Sequence, residues 1–130
     1  MDIELFQTNQ AKEVEGVWFP LGGGAEVLVA REGNDAYNDY LNGLVNANRA
    51  LIDGTDKAAR KAQKDLLIRA YAHTVLKGWK GLTSKGEDIP FSKDKALELL
   101  QIPDFFKKIQ GMAQQMEAYQ DKAEEDLLKN

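Results

Sequence analysis

The sequence predicts a mainly α protein, a small helical domain of four to five helices behind an N-terminal β-hairpin. Three observations carry this reading. After residue 34, apolar residues recur at steps of three and four over most of the chain, the period of an amphipathic helix. Before it, two β-branched and aromatic runs flank a glycine cluster. A length of 130 residues with 43% hydrophobic content suits one modest core, since single domains commonly hold about 100 to 150 residues. Residues 1–130 are therefore read as one domain, with a hairpin over 13–30 and helices over 34–128.

In the hairpin, Val17, Trp18 and Phe19 pair with Val27, Leu28 and Val29 across the turn-forming Pro20, Leu21, Gly22, Gly23 and Gly24. An isolated two-stranded hairpin is marginal in water, so it must pack on helices or pair with another chain. Asn34 is suited to cap a first helix, in which Tyr37, Tyr40, Leu41, Leu44, Val45, Leu51 and Ile52 keep the helical step. Asp53 and Gly54 end it, and Thr55 or Asp56 caps a second helix that the pattern carries to about Lys80. Its middle, Leu66 to Ala72, is apolar on nearly every side and reads as the buried axis. Gly78 and Gly81 loosen its end, and Thr83 to Asp88 reads as a loop. Ser92 caps a short helix with Asp94 in the first turn, and Pro103 opens a last helix running towards the C-terminus.

Along that last helix Phe105, Ile109, Met112, Met116, Tyr119 and Ala123 form a heptad-like seam. The usual role of such a stripe is packing on its own chain; the alternative is self-association or a partner helix. Lys57, Arg60, Lys61 and Lys64 share one face at the start of the second helix. That basic stripe is either a solvated face, flanked by Asp56 and Asp65, or a docking surface for acidic residues such as Glu117, Asp121, Glu124, Glu125 and Asp126 of a neighbouring copy. Trp18 and Trp79 offer large areas for a core or an interface, and Trp79, beside Gly78 and Gly81, is better placed to lock the glycine-rich loop onto the helices.

Other chemistry finds little support. The formal net charge of -4 disfavours attraction to nucleic-acid phosphates. Without cysteine there is no disulfide, thiolate nucleophile or Cys-based zinc site. The opening Met1, Asp2, Ile3, Glu4, Leu5, Phe6, Gln7 lacks the basic start and apolar stretch of a secretory signal, and no run approaches the roughly 18 to 20 apolar residues that span a bilayer. Gly22 to Gly24 are not followed by the Lys and helix start of a phosphate-binding loop. His73 is the one histidine, and without a positioned carboxylate or nucleophile it reads as a core or edge residue.

The run Trp79, Lys80, Gly81, Leu82, leading through Gly86 into Ile89, Pro90, Phe91 and Ser92 and followed by Ala96, Leu99, Leu100, Pro103, Ile109 and Ala113, resembles the tail assembly chaperones of long, non-contractile-tailed bacteriophages. Trp18 ahead of Val27 to Arg31, then Gly33, Asn34, Tyr37 and Leu41, and the ending Glu124 to Asn130, are similar too. The resemblance implies a largely helical protein without catalysis or cofactor, made in the host bacterial cytoplasm and not kept in the mature virion. Its implied partners are the tape measure protein, which it would keep soluble, the tail tube protein, which it would help recruit, other copies of itself and a frameshift-extended form. Neither nucleic acid nor membrane is expected as a partner.

The candidate interaction residues are Trp18, Lys57, Arg60, Lys61, Lys64, Phe105, Met112, Met116 and Tyr119, with Trp79, Gly81, Pro90, Phe91 and Ser92 as a structural motif. Met and aromatic side chains suit an apolar stripe on a helical client. The alternative reading is a structural tail or connector subunit retained in the virion. A third, an enzyme or regulator using His73 with Tyr71, lacks a catalytic constellation.

Overall fold

The computed structural model describes residues 1–121. The acidic group Glu124, Glu125 and Asp126, and Ala123 of the expected seam, lie outside them. A 3-10 turn at Ile3–Phe6 precedes helix α1 (Gln10–Glu15), whose first amides are capped by Asn9: its side-chain oxygen accepts from Ala11 N at 3.0 Å and Lys12 N at 3.2 Å. Strands β1 (Val17–Gly22) and β2 (Ala25–Val29) then form the antiparallel hairpin, turning through Gly22, Gly23 and Gly24, all at positive φ. Only glycine enters that region freely, which is why three stand together here.

Helix α2 (Asp35–Ala47) is capped by Asn34, which accepts from Tyr37 N at 3.0 Å. The helical reading to Ile52 breaks at Asn48, whose amide side chain donates to Leu44 O at 2.7 Å; the short α3 (Arg49–Ile52) follows. Helix α4 (Lys57–Thr74) starts at the Asp56 cap and carries buried Leu66, Ile68, Ala70, Tyr71 and Ala72.

The mainly α expectation is corrected at its end. Leu76–Lys80 is not the last turn of a helix but strand β3, antiparallel to β2, so the hairpin becomes a three-stranded sheet in the order β1-β2-β3. Thr83–Ser84 (β4) and Glu87–Asp88 (β5), expected as loop, form a second, small antiparallel pair. Their two-residue turn, Lys85 at φ 51 and Gly86 at φ 82, has the two positive φ angles of a type I′ hairpin. The protein is a mixed α/β domain.

Why the strand imitated a helix is visible in its register. Leu28 faces Gly78 while Val29 faces Leu76, so Lys77 is an extra residue in β3. Such a bulge shifts the inward set by one. Leu76 and Trp79, three apart, therefore both point into the core, and three is also a helical step.

Helix α5 (Lys93–Leu100) begins at Ser92, which accepts from Lys95 N at 3.0 Å, and α6 (Pro103–Ala113) has Pro103 in its first turn. The last helix was expected to run on towards the C-terminus. It stops at Ala113, and Met116–Tyr119 form a separate 3-10 turn. Tertiary bonds hold that turn: the Tyr119 hydroxyl donates to Val29 O at 3.0 Å, and Asn9 N donates to Tyr119 O at 2.8 Å.

The inner face of the sheet, Val17, Phe19, Val27, Val29, Leu76 and Trp79, packs in one core with Tyr71 and Val75, with Ala96 and Leu100 of α5, and with Phe106, Ile109, Met112 and Ala113 of α6. Tyr71 stands edge-on to Tyr37 and tilted against Phe106, with ring centroids 6.0 and 4.9 Å away. Glu32 ties three elements together there. Its carboxylate accepts from the Tyr71 hydroxyl at 2.6 Å and from Gln114 Nε2 at 3.0 Å, while its amide donates to Ala113 O at 2.9 Å.

Candidate functional site

The residues singled out in the sequence fall into three settings. Trp79, Gly81, Phe91 and Ser92 build a joint between β3 and α5. The Trp79 indole donates Nε1–H to Ile89 O at 2.7 Å, and its ring meets Phe91 edge-on at 4.7 Å. Gly81 has φ +76, and a Cβ there would stand 3.1 Å from Gly24 O, so the chain turns closely under the hairpin loop. Pro90 is exposed and leads into the Ser92 cap. Trp79 lies in a strand rather than at a helix end.

Met112 and Tyr119 are core residues, 6% and 0% exposed. The Tyr119 ring lies 6.3 Å from that of Phe19. Phe105 and Met116 are half-buried, so the expected seam turns inward at Met112 and Tyr119 and reaches the surface only in part.

The third setting is the surface. Lys57, Arg60, Lys61 and Lys64 are exposed along the first half of α4, opposite buried Ala59. Lys61 Nζ is 3.9 Å from Asp65, an exposed pair of small energetic weight. Lys64 Nζ sits 4.1 Å from the centroid of the Phe106 ring, a cation–π contact that seals the edge of the core. Lys57 and Arg60 carry no ion pair among the described residues. On the outer face of the sheet, half-buried Trp18 lies across from Leu28 and over Gly78. Lys80 Nζ is 4.0 Å from its ring centroid and 4.0 Å from Glu26 Oε2.

Sequence reasoning passed over the N-terminus. Met1, Ile3, Leu5 and Phe6 are 101, 68, 60 and 54% exposed, and Val14 of α1 adds to them. The alternation Asp2, Ile3, Glu4, Leu5 is the unused signal, being the pattern of a segment with one apolar face.

His73 and Tyr71 are not brought together. Two residues apart on α4, they face different ways: Tyr71 enters the core towards Glu32, and the exposed His73 stacks on Tyr40 at 4.1 Å and 14°. His73 borders an open cleft of about 180 Å³ shared with Tyr40, Arg69, Lys93, Asp94 and Leu97. Partial burial, then the charges of Lys93 and Lys77, lower its pKa, so the ring is neutral at pH 7. Among the described residues no His, Cys, Asp and Glu cluster is placed to hold a metal ion, and no helix is long and apolar enough to cross a membrane.

A three-stranded sheet with its inner face packed on helices, and with basic and apolar side chains displayed outside, defines a small mixed α/β protein. The family model described as YdaY prophage protein matches residues 32–130, and the chain belongs to that family. It is a phage-derived protein. The match begins after the hairpin and takes in α2 to α6, the Trp79–Ser92 joint included. Neither the curated proteins nor the solved structures give a match.

Proposed function

We propose that this phage-derived protein is a tail assembly chaperone that binds and solubilises the tape measure protein and helps bring tail tube subunits to it. It acts in the host cytoplasm by holding other proteins rather than by catalysis, and leaves before the virion is complete. One observation carries the reading. The residues of the resemblance, Trp79 to Ser92, lie inside the segment matched by a prophage family and lock together as one joint.

The surface supports the same task. Lys57, Arg60 and Lys61 supply charge for acidic stretches of a client, while Trp18, Phe105 and Met116 offer partly exposed apolar area. Met112 and Tyr119 contribute indirectly, by fixing α6 and the 3-10 turn on the sheet. Single contacts of this kind are weak, so coating a long client calls for many copies acting through avidity.

The test is co-expression with the long coiled-coil-rich protein encoded in the same phage genome. The expected result is a client that stays soluble and co-elutes with this chain, with a reduced yield for Lys57→Glu/Arg60→Glu/Lys61→Glu. A client that remains insoluble beside a folded, monodisperse chain would sink the proposal.

A further inference from the structure

The first six residues combine acidic and apolar side chains in alternation, Asp2, Ile3, Glu4 and Leu5, followed by Phe6. Their one 3-10 turn buries none of its residues. It is closed by Leu5 N donating to Asp2 O at 3.2 Å and Gln7 N to Glu4 O at 3.1 Å. A single turn of this kind has little stability of its own, so it opens readily into an extended segment with Asp2 and Glu4 on one side and Ile3 and Leu5 on the other, Phe6 following on the acidic side. Behind it the chain is fixed. Asn9 bonds to Tyr119 and Asp121, which anchors the base of the segment, while within the segment Leu5 O accepts from Gln120 Nε2 at 2.7 Å, an exposed bond that leaves the Leu5 side chain outside.

Elsewhere on the molecule an open groove of about 370 Å³ runs between β1 and α6, with Phe19, Pro20, Gly111 and Met112 as its apolar part and Lys107 and Lys108 on its wall. Strand β1 is the edge of the sheet, with no strand on its far side among the described residues. Lys107 and Lys108 are exposed and carry no ion pair among the described residues. Groove and segment match in kind: two cations unpaired among the described residues beside apolar floor, and two carboxylates alternating with apolar side chains.

We propose that the N-terminal segment of one copy occupies the β1–α6 groove of a second copy, with Asp2 and Glu4 meeting Lys107 and Lys108, and Ile3 and Leu5 covering the apolar floor. Segment and groove are different surfaces of the same chain. The contact is therefore heterologous, and repeats of it make a ring or an open array rather than a closed two-fold dimer. This deepens the self-association invoked for the chaperone and rests on that part of the reading. It requires no client, so the two can fail separately.

The experiment uses the full chain alone, followed by sedimentation velocity over a range of concentrations at about 0.1 M and about 1 M salt. The wild type associates, and less so at high salt. Asp2→Lys/Glu4→Lys and Lys107→Glu/Lys108→Glu, all at exposed positions and checked for unchanged circular dichroism, each associate at least ten-fold more weakly. Mixed in equal amounts, the two variants associate again, because each supplies the sign that the other's surface now needs. A wild type that stays monomeric throughout overturns the proposal, whether the segment remains free or lies in its own groove. So does association unchanged in the variants, or a mixture that behaves like its separate components.

Discussion

Tyr37, Tyr71 and Tyr119 hold their protons well above the pH at which an unfolded tyrosine ionises, about 10. Burial is the first cause in each. For Tyr37 it acts with the charge of Glu32 and pushes the pKa up to about 12. For Tyr71 the hydrogen bond to the same carboxylate adds to it, since the hydroxyl must keep its proton to donate. The folded state thus binds protons that the unfolded chain releases, and this contribution is intact below pH 10 and lost as pH rises beyond it. Between pH 10 and 12 the unfolding free energy should fall by up to about 4 kcal/mol per pH unit, the slope for three such groups. Urea unfolding at pH 8, 10 and 11 checks this, and an unchanged midpoint at pH 11 would contradict it. Nothing in the sequence marked Tyr119 as core rather than surface, because a seam residue has the same spacing whether it faces its own sheet or a partner. The difference lies in the break after Ala113, which turns Tyr119 back onto Val29.

At the scale of elements, the starts of α2, α4, α5 and α6 were legible, whereas helix α1, within and before the expected hairpin, and strand β3 were not. Asn34, Asp56 and Ser92 each accept from the amide three residues on, a local interaction that needs no knowledge of the rest of the fold. Strand β3 depends on β2, forty-odd residues earlier, and its bulge disguises the two-residue period that would have marked it. The end of α6 likewise meets a distant partner, Glu32, which bonds Ala113 and Gln114, and Asn9 and Val29 hold the 3-10 turn that follows. Gly81 belongs to the same long-range class. Its left-handed φ and the approach of Gly24 O and Ala25 Cα leave a side chain in both backbone strain and contact. Gly86 has a similar φ but open space around its Cα. Gly81→Ala should therefore lower the unfolding free energy by about 2 to 3 kcal/mol, and Gly86→Ala by about 1. Equal losses in urea titrations would show that the contact under the hairpin loop carries no weight.

For the molecule as a whole, the basic stripe on α4 was legible, because Lys57, Arg60, Lys61 and Lys64 lie within one helical segment at steps of three and four. The apolar N-terminus was harder to place: whether Ile3 and Leu5 are covered depends on long-range packing, and among the described residues they stay exposed. What the chain does instead is bring residues 9–12 against residues 119–121. Asn9 N and Nδ2 reach Tyr119 O at 2.8 Å and Asp121 Oδ1 at 2.9 Å, and Lys12 Nζ reaches Gln120 O at 3.1 Å. A circular permutant that joins residue 130 to residue 1 and opens between Gly54 and Thr55, in the exposed link from α3 to α4, should keep one cooperative urea transition and the near-ultraviolet signal of the packed aromatics. Loss of that signal would mean that this contact is a consequence of the fold's chain order rather than a feature independent of it.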